Sequence, residues 1–202
     1  MKTNTRSVMV PRLLMAATVL MASAGCGSEM LRTGRSPVYL IVSSIQAGTG
    51  TSPILRSDVQ TVTDASASVA DDLATATLRV EQKNTTATGS TSTLNTVTIT
   101  RYHVEYRRSD GRNTPGVDVP YGFDGGTSVS IDPNSSADVA FQVVRHQGKL
   151  EPPLKNLASA GGQILISTIA EITFYGHDQN GNEVSVVGRM DVVFGDFPDA
   201  GA

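Results

Sequence analysis

The chain has 202 residues, a single cysteine, no tryptophan and a formal charge of −3. That length suits one domain, the lone cysteine leaves no intramolecular disulfide to stabilise it, and the weak acidity disfavours nucleic acid as a partner.

The first segment reads as an export signal. Lys2, Arg6 and Arg12 precede or open an uncharged stretch over residues 13–21, which runs into Ala22-Ser23-Ala24-Gly25-Cys26. A basic start, a short apolar middle and small residues before a cut are the parts of a secretory signal peptide. The apolar run is too short to span a bilayer as a mature helix. Residues 22–26 resemble the lipobox of bacterial lipoproteins, with Ser23 where leucine is commoner. The resemblance implies cleavage before Cys26 and lipidation of that residue, by several acyl chains that make attachment effectively permanent. Gly27 stands where an aspartate would signal retention in the inner membrane, so the same resemblance implies the outer membrane. The expected organisation is a signal at 1–25, a lipidated tether at 26–37, a folded body at 38–197 and a short tail at 198–202.

Within the body, apolar and polar residues alternate with period two, the pattern of half-buried strands. Shorter strand candidates lie at 38–45 and 127–131. Residues 74–83 turn Ala76, Leu78 and Val80 one way and Thr77, Arg79 and Glu81 the other. Over 97–108, Tyr102, Val104 and Tyr106 share one face, while Val97 and Ile99 have the opposite parity, so a bulge is expected near Thr100. Residues 137–145 align Val139, Phe141 and Val143, and residues 184–194 align Val184, Val186, Met190, Val192 and Phe194. The stretch 164–177 is apolar enough to be buried on both faces. Turn-rich segments lie at 84–95, 110–126 and 179–182. Asn180-Gly181 signals a hairpin, because both residues tolerate positive φ. Weak helical candidates are 65–74 and 150–158, the latter with Pro152 and Pro153 near its start. Short strands with polar turns and almost no helix predict an all-β, antiparallel β-sandwich.

Two stretches carry a family resemblance. Ile99-Thr-Arg-Tyr102-His-Val104-Glu-Tyr106-Arg107 resembles the third strand of fibronectin type III and other immunoglobulin-like modules. Phe174-Tyr-Gly-His-Asp178-Gln-Asn-Gly181-Asn182 resembles the closing hairpin of bacterial immunoglobulin-like domains. The resemblance spans roughly residues 74–194 and implies a fibronectin type III-like sandwich, although the second-strand tryptophan usual in such modules is missing. Residues 108–120 also resemble a segment shared by bacterial lipoproteins of a family to which the resemblance attaches no activity.

The most pointed candidate for function is the long loop 108–126, since a connection of more than about 12–15 residues without its own structure is often functional. Arg108, Asp110, Arg112, Asn113, Asp118, Tyr121 and Asp124 are its candidate recognition residues. The plainer alternative is an ordered crossover whose Asp and Asn side chains satisfy their own backbone. Asp178-Gln-Asn180-Gly-Asn182-Glu183 spaces oxygen ligands like a calcium loop, but the twelfth position holds Arg189, which cannot ligate, and Asn-Gly already accounts for a hairpin. His103, His146 and His177 have no metal-binding spacing and read as surface or strand-end residues. No Gly-x-Ser-x-Gly elbow is present, and the only cysteine is the lipidation site. Arg101, Arg107, Arg108 and Arg112 cluster near the third strand, interrupted by Glu105. A solvated strand face is expected there, with a partner-binding face as the alternative.

These features predict a lipid-anchored, non-enzymatic interaction or structural module of the cell envelope, without cofactor or metal, meeting the membrane through Cys26 and an envelope protein through its loops or a strand edge. The first rival is a carbohydrate or small-ligand module using Tyr121 and Phe123. A hydrolase with an unrecognised site ranks last.

Overall fold

The computed structural model describes residues 35–48, 50–63, 66–84, 92–158 and 160–198, and these form an all-β chain. Cys26, the signal segment and most of the tether lie outside the described residues, as do parts of 84–95 and of the C-terminal tail. The strands are β1 (Val38–Ala47), β2 (Ile54–Asp58), β3 (Thr61–Thr63), β4 (Ser66–Ser68), β5 (Asp72–Gln82), β6 (Val97–Arg107), β7 (Phe123–Ile131), β8 (Ser136–Val144), β9 (Ile166–Asp178) and β10 (Glu183–Gly195).

They assemble into a three-stranded sheet in the order β1-β5-β8 and a five-stranded sheet in the order β2-β10-β9-β6-β7, with β3 and β4 as a small separate hairpin. Pairing is antiparallel throughout except between β2 and β10, which run parallel. An antiparallel arrangement was expected for the whole, so this edge is a correction. Its origin is that β2 joins the last strand of the chain rather than a sequence neighbour.

The alternation in the sequence translates directly into sheet faces. Ala76, Leu78 and Val80 of β5 are fully buried, and Val139, Phe141 and Val143 of β8 join them. Opposite them lie Ile172 and Phe174 of β9 and Met190, Val192 and Phe194 of β10. On β6 a register shift between Ile99 and Arg101 brings Val97 and Ile99 to the same buried side as Tyr102, Val104 and Tyr106. The expected bulge therefore serves the core, since without it one of the two sets would face water.

Aromatic rings join the layers. Tyr102 meets Phe141 at 5.4 Å between centroids, and Phe141 meets Phe174 edge-on at 5.3 Å. Two hydroxyls fasten the same interface. Tyr102 Oη accepts from the Gln142 amide at 3.1 Å, and Tyr106 Oη donates to the Val143 carbonyl. Each fully buried side chain of this size stabilises by roughly 1.5–3 kcal/mol, and such a core can hold a fold that has no internal disulfide.

Several local expectations change. Residues 66–68 are β4 and β5 begins at Asp72, so the helical candidate at 65–74 is extended chain among its described residues; Ser66, Ser68 and Thr61–Thr63 favour a β hairpin over a helix. The other helical candidate, 150–158, does hold a 3₁₀ turn over Leu154–Leu157, while one unforeseen helical turn precedes it over His146–Lys149 and a second 3₁₀ turn spans Thr93–Asn95. Strand β9 is central but not buried on both faces: Ile166, Thr168, Ala170, Ile172 and Phe174 are buried, while Ile169 and His177 are exposed on the other side. In the β9–β10 turn only Gly181 takes positive φ (77°), and Asn180 does not. The turn is organised by Asp178, whose carboxylate accepts from the Asn180 and Asn182 amides and from Asn182 Nδ2. Burial pushes the Asp178 carboxyl up, but these donations outweigh it and hold the group below its usual range.

Candidate functional site

The bond from Tyr106 to Val143 places the ends of β6 and β8 side by side. The two longest irregular connections, 108–122 after β6 and 145–165 after β8, therefore leave the molecule at the same end. Strand β7 starts at Phe123, four residues earlier than the 108–126 loop would allow, because Phe123 is needed in the core beside Tyr102.

Most of the predicted recognition residues satisfy one another. Arg108 donates to Asp110 through Nε and at 2.6 Å through its terminal nitrogen, and Arg112 reaches the same carboxylate with both its amide and Nε. These donations, led by Arg108, hold the Asp110 carboxyl well below its ordinary range. Asn113 Oδ1 accepts from the Arg108 amide at 2.6 Å, and Asp118 Oδ2 accepts from the Thr114 amide. Asp124 lies on β7 rather than in the loop, bonded to His103 at 3.2 Å with Arg101 at 3.7 Å. The loop is thus ordered by its own Asp and Asn side chains, but it is a long hairpin connection between the paired strands β6 and β7, not the crossover that was the plainer expectation. On the neighbouring sheet face Arg107 and Arg189 both hold Glu171 at 2.8 Å, and the Arg101 guanidinium stacks on Tyr175 at 3.7 Å.

Tyr121 is the exception. It is 57% exposed, and its ring lies against Gly116, where an added Cβ would come within 2.3 Å of the hydroxyl. Gly116 also has φ of 76°, so only glycine meets both demands without strain. Beneath the loop, Val119 and Pro120 are buried and pin it to the body.

Tyr121 forms one wall of a cleft of about 120 Å³, shared with Tyr106, Pro120, Phe123, Val144, Arg145, Gln147, Gly148 and Glu151. The Arg145 guanidinium lies 4.1 Å from the centroid of the Phe123 ring. Among the described residues, the side-chain polar groups of Tyr121, Arg145, Gln147 and Glu151 make no hydrogen bond or ion pair within the protein. The contrast with the self-satisfied loop beside them singles out this cleft. Leu150, more than half exposed, stands next to the lining residue Glu151 in the chain.

The opposite wall is held from below. Lys149 is only 3% exposed, with Nζ 2.9 Å from Asp72 Oδ2 and 2.7 Å from the Asp58 carbonyl, and Ser57 Oγ donates to the same carboxylate oxygen at 2.6 Å. The preceding acid, Asp71, accepts from the His146 amide at 2.6 Å and faces its Nδ1 at 3.0 Å. Asp71, just before β5, and Asp72, its first residue, thus clamp the two ends of one helical turn. Burial pushes the Asp72 carboxyl up despite Lys149 and Ser57, whereas the His146 amide draws Asp71 down. Arg145, Gln147 and Glu151 escape a reading of the sequence because they sit at a strand end and in a turn without periodicity.

A second groove of about 230 Å³ lies between the start of β1 and the start of β10, lined by Ser36, Tyr39, Glu183 and their neighbours. Of the histidines, His103 faces outward from mid-β6, His146 is bound to Asp71, and His177 is exposed near the end of β9.

No protein-family model and no curated protein matches the chain. Eight solved chains do. One, a structural-genomics target designated SoR45, is 10% identical over 77% of this chain and 86% of its own, with a TM-score of 0.36. Another, a Bordetella pertussis protein given the name ApaA, is 13% identical over 82% of this chain and 98% of its own, with a TM-score of 0.33. Similarity at that level bears on neither the fold nor the function.

Proposed function

We propose that this chain is a lipid-anchored envelope protein, held through Cys26, whose immunoglobulin-like body docks a protein partner at the cleft between residues 108–122 and the turn after β8. The single observation that carries the docking reading is a cleft rimmed by exposed Tyr121 and by polar groups that make no hydrogen bond or ion pair among the described residues. Its volume supports a protein side chain as occupant ahead of a sugar or other small ligand, because ligand pockets generally run to about 300–1,000 Å³. Exposed aromatic and arginine side chains around a small pocket are the usual composition of a contact that carries most of the binding energy.

The immunoglobulin-like reading is supported by strand order. Leaving aside the short β2–β4, the first, second and fifth strands share one sheet and the third, sixth and seventh share the other. The fourth, β7, lies beside the third, on the side where variable-type domains carry their extra strands. The lipid anchor is supported by the layout of residues 2–26.

Two experiments test this function. Crosslinking and pull-down of the full chain in its own host, wild type against Tyr121→Ala, should lose one envelope protein from the catch of the variant at unchanged melting temperature. An identical catch excludes the cleft. Separately, Cys26→Ala should abolish acyl labelling and move the protein out of the detergent phase; unchanged partitioning removes the anchor.

A further inference from the structure

The charges in the cleft say what kind of segment fits it. Arg145 differs from the four arginines of the adjoining strand and loop. Arg101 faces Asp124, Arg107 holds Glu105 and Glu171, and Arg108 and Arg112 share Asp110. Arg145 is exposed, has no acid within ion-pair distance among the described residues, and holds its guanidinium carbon over the Phe123 ring, 4.1 Å from the centroid. A cation–π contact with the ring consumes none of the guanidinium N–H donors, so they remain available to a carboxylate. A guanidinium held in this way loses less freedom when a carboxylate arrives, and the pairing can be bidentate. Glu151 lines the same cleft but makes no ion pair with Arg145. The net acidity of the chain does not oppose this, because at physiological salt charges beyond about 8 Å are largely screened and the nearest groups decide.

We propose that the docked segment is acidic. An Asp or Glu side chain of the partner pairs with Arg145, a neighbouring N–H of the same segment donates to Glu151, and an adjacent apolar side chain covers Tyr121. Glu151 sets the polarity of the site: it repels a second carboxylate and so admits one acid followed by a donor. This inference rests on the cleft being a docking site and adds the chemistry of what docks.

The test places a photo-crosslinking residue at Gln147 of the full chain in its own host, in wild-type, Tyr121→Ala, Arg145→Lys and Arg145→Glu backgrounds. Melting temperatures should match across the set, because Arg145 and Tyr121 are exposed. The expected result is a protein adduct whose crosslinked peptide has an Asp or Glu beside the site of attachment. Its yield should fall by about tenfold or more with Arg145→Glu, fall less with Arg145→Lys, and recover when that acid is changed to arginine in the partner. An adduct that survives Arg145→Glu but is lost with Tyr121→Ala overturns the acidic segment and leaves the docking reading standing. Absence of any protein adduct, or an adduct to lipid or glycan alone, overturns both.

Discussion

Lys149 shows how one side chain can define a local structure. A lysine in a short surface turn ordinarily extends its ammonium into water, yet here the whole side chain passes inward to Asp72 and the Asp58 carbonyl. Removing one member of a buried pair leaves the other charge uncompensated, at a cost of about 3–5 kcal/mol. Lys149→Ala should therefore cost about that much in denaturant unfolding, and Lys149→Met combined with Asp72→Asn should recover part of the loss. If the single and double variants are equally unstable, the two groups are not coupled. The sequence marks Asp71 and Asp72 only as charged residues before a strand. Their partners in the helical turn, His146 and Lys149, lie 75 residues or more away, so nothing local announces them.

At the level of the element, β6 carries the most consequence. It pairs with β7 on one edge and β9 on the other, and its two tyrosines reach across to β8. Its alternation and its bulge were legible because both are local: parity changes at Thr100, and only an extra residue restores it. Tyr102→Ser should cost about 3–5 kcal/mol, the range for deleting a buried aromatic ring. Tyr102→Phe should cost nearer to about 1 kcal/mol, since only the bond to the Gln142 amide is lost. Equal midpoints for the two variants would mean the ring contributes nothing beyond its hydroxyl. Strand β2 was illegible for the opposite reason. It is short, it follows Pro53, and its buried position is taken partly by Ser57, so no apolar alternation marks it.

For the molecule as a whole, the ionised carboxylates set the pH dependence. Asp71, Asp110, Glu171 and Asp178 all lie below their ordinary values in the folded state. Each contributes stability that is present above its unfolded value and is lost as pH falls through its folded one. Asp72 works in the other direction: its folded value is raised, so its contribution weakens as pH climbs from the ordinary aspartate value toward the raised one. Unfolding free energy should therefore fall on acidification below the carboxylate range, and Asp72→Asn should steepen that fall around pH 4 and just above. A slope unchanged by the substitution would show that Asp72 titrates alike in the folded and unfolded chains.

The sequence by itself determined that the body is built of strands, which side chains line its core, where β6 bulges and where the last hairpin turns. These follow from period-two alternation and turn chemistry, which act over a few residues. The same local logic marked Asp and Asn in the 108–126 segment as turn residues. Only the tertiary structure decided that β2 runs parallel to β10, that Lys149 is buried on Asp72, and that Tyr121 and Arg145 line one cleft. Each of these depends on which distant stretches meet. Meeting is governed by the burial of whole faces, and no window along the chain contains both partners.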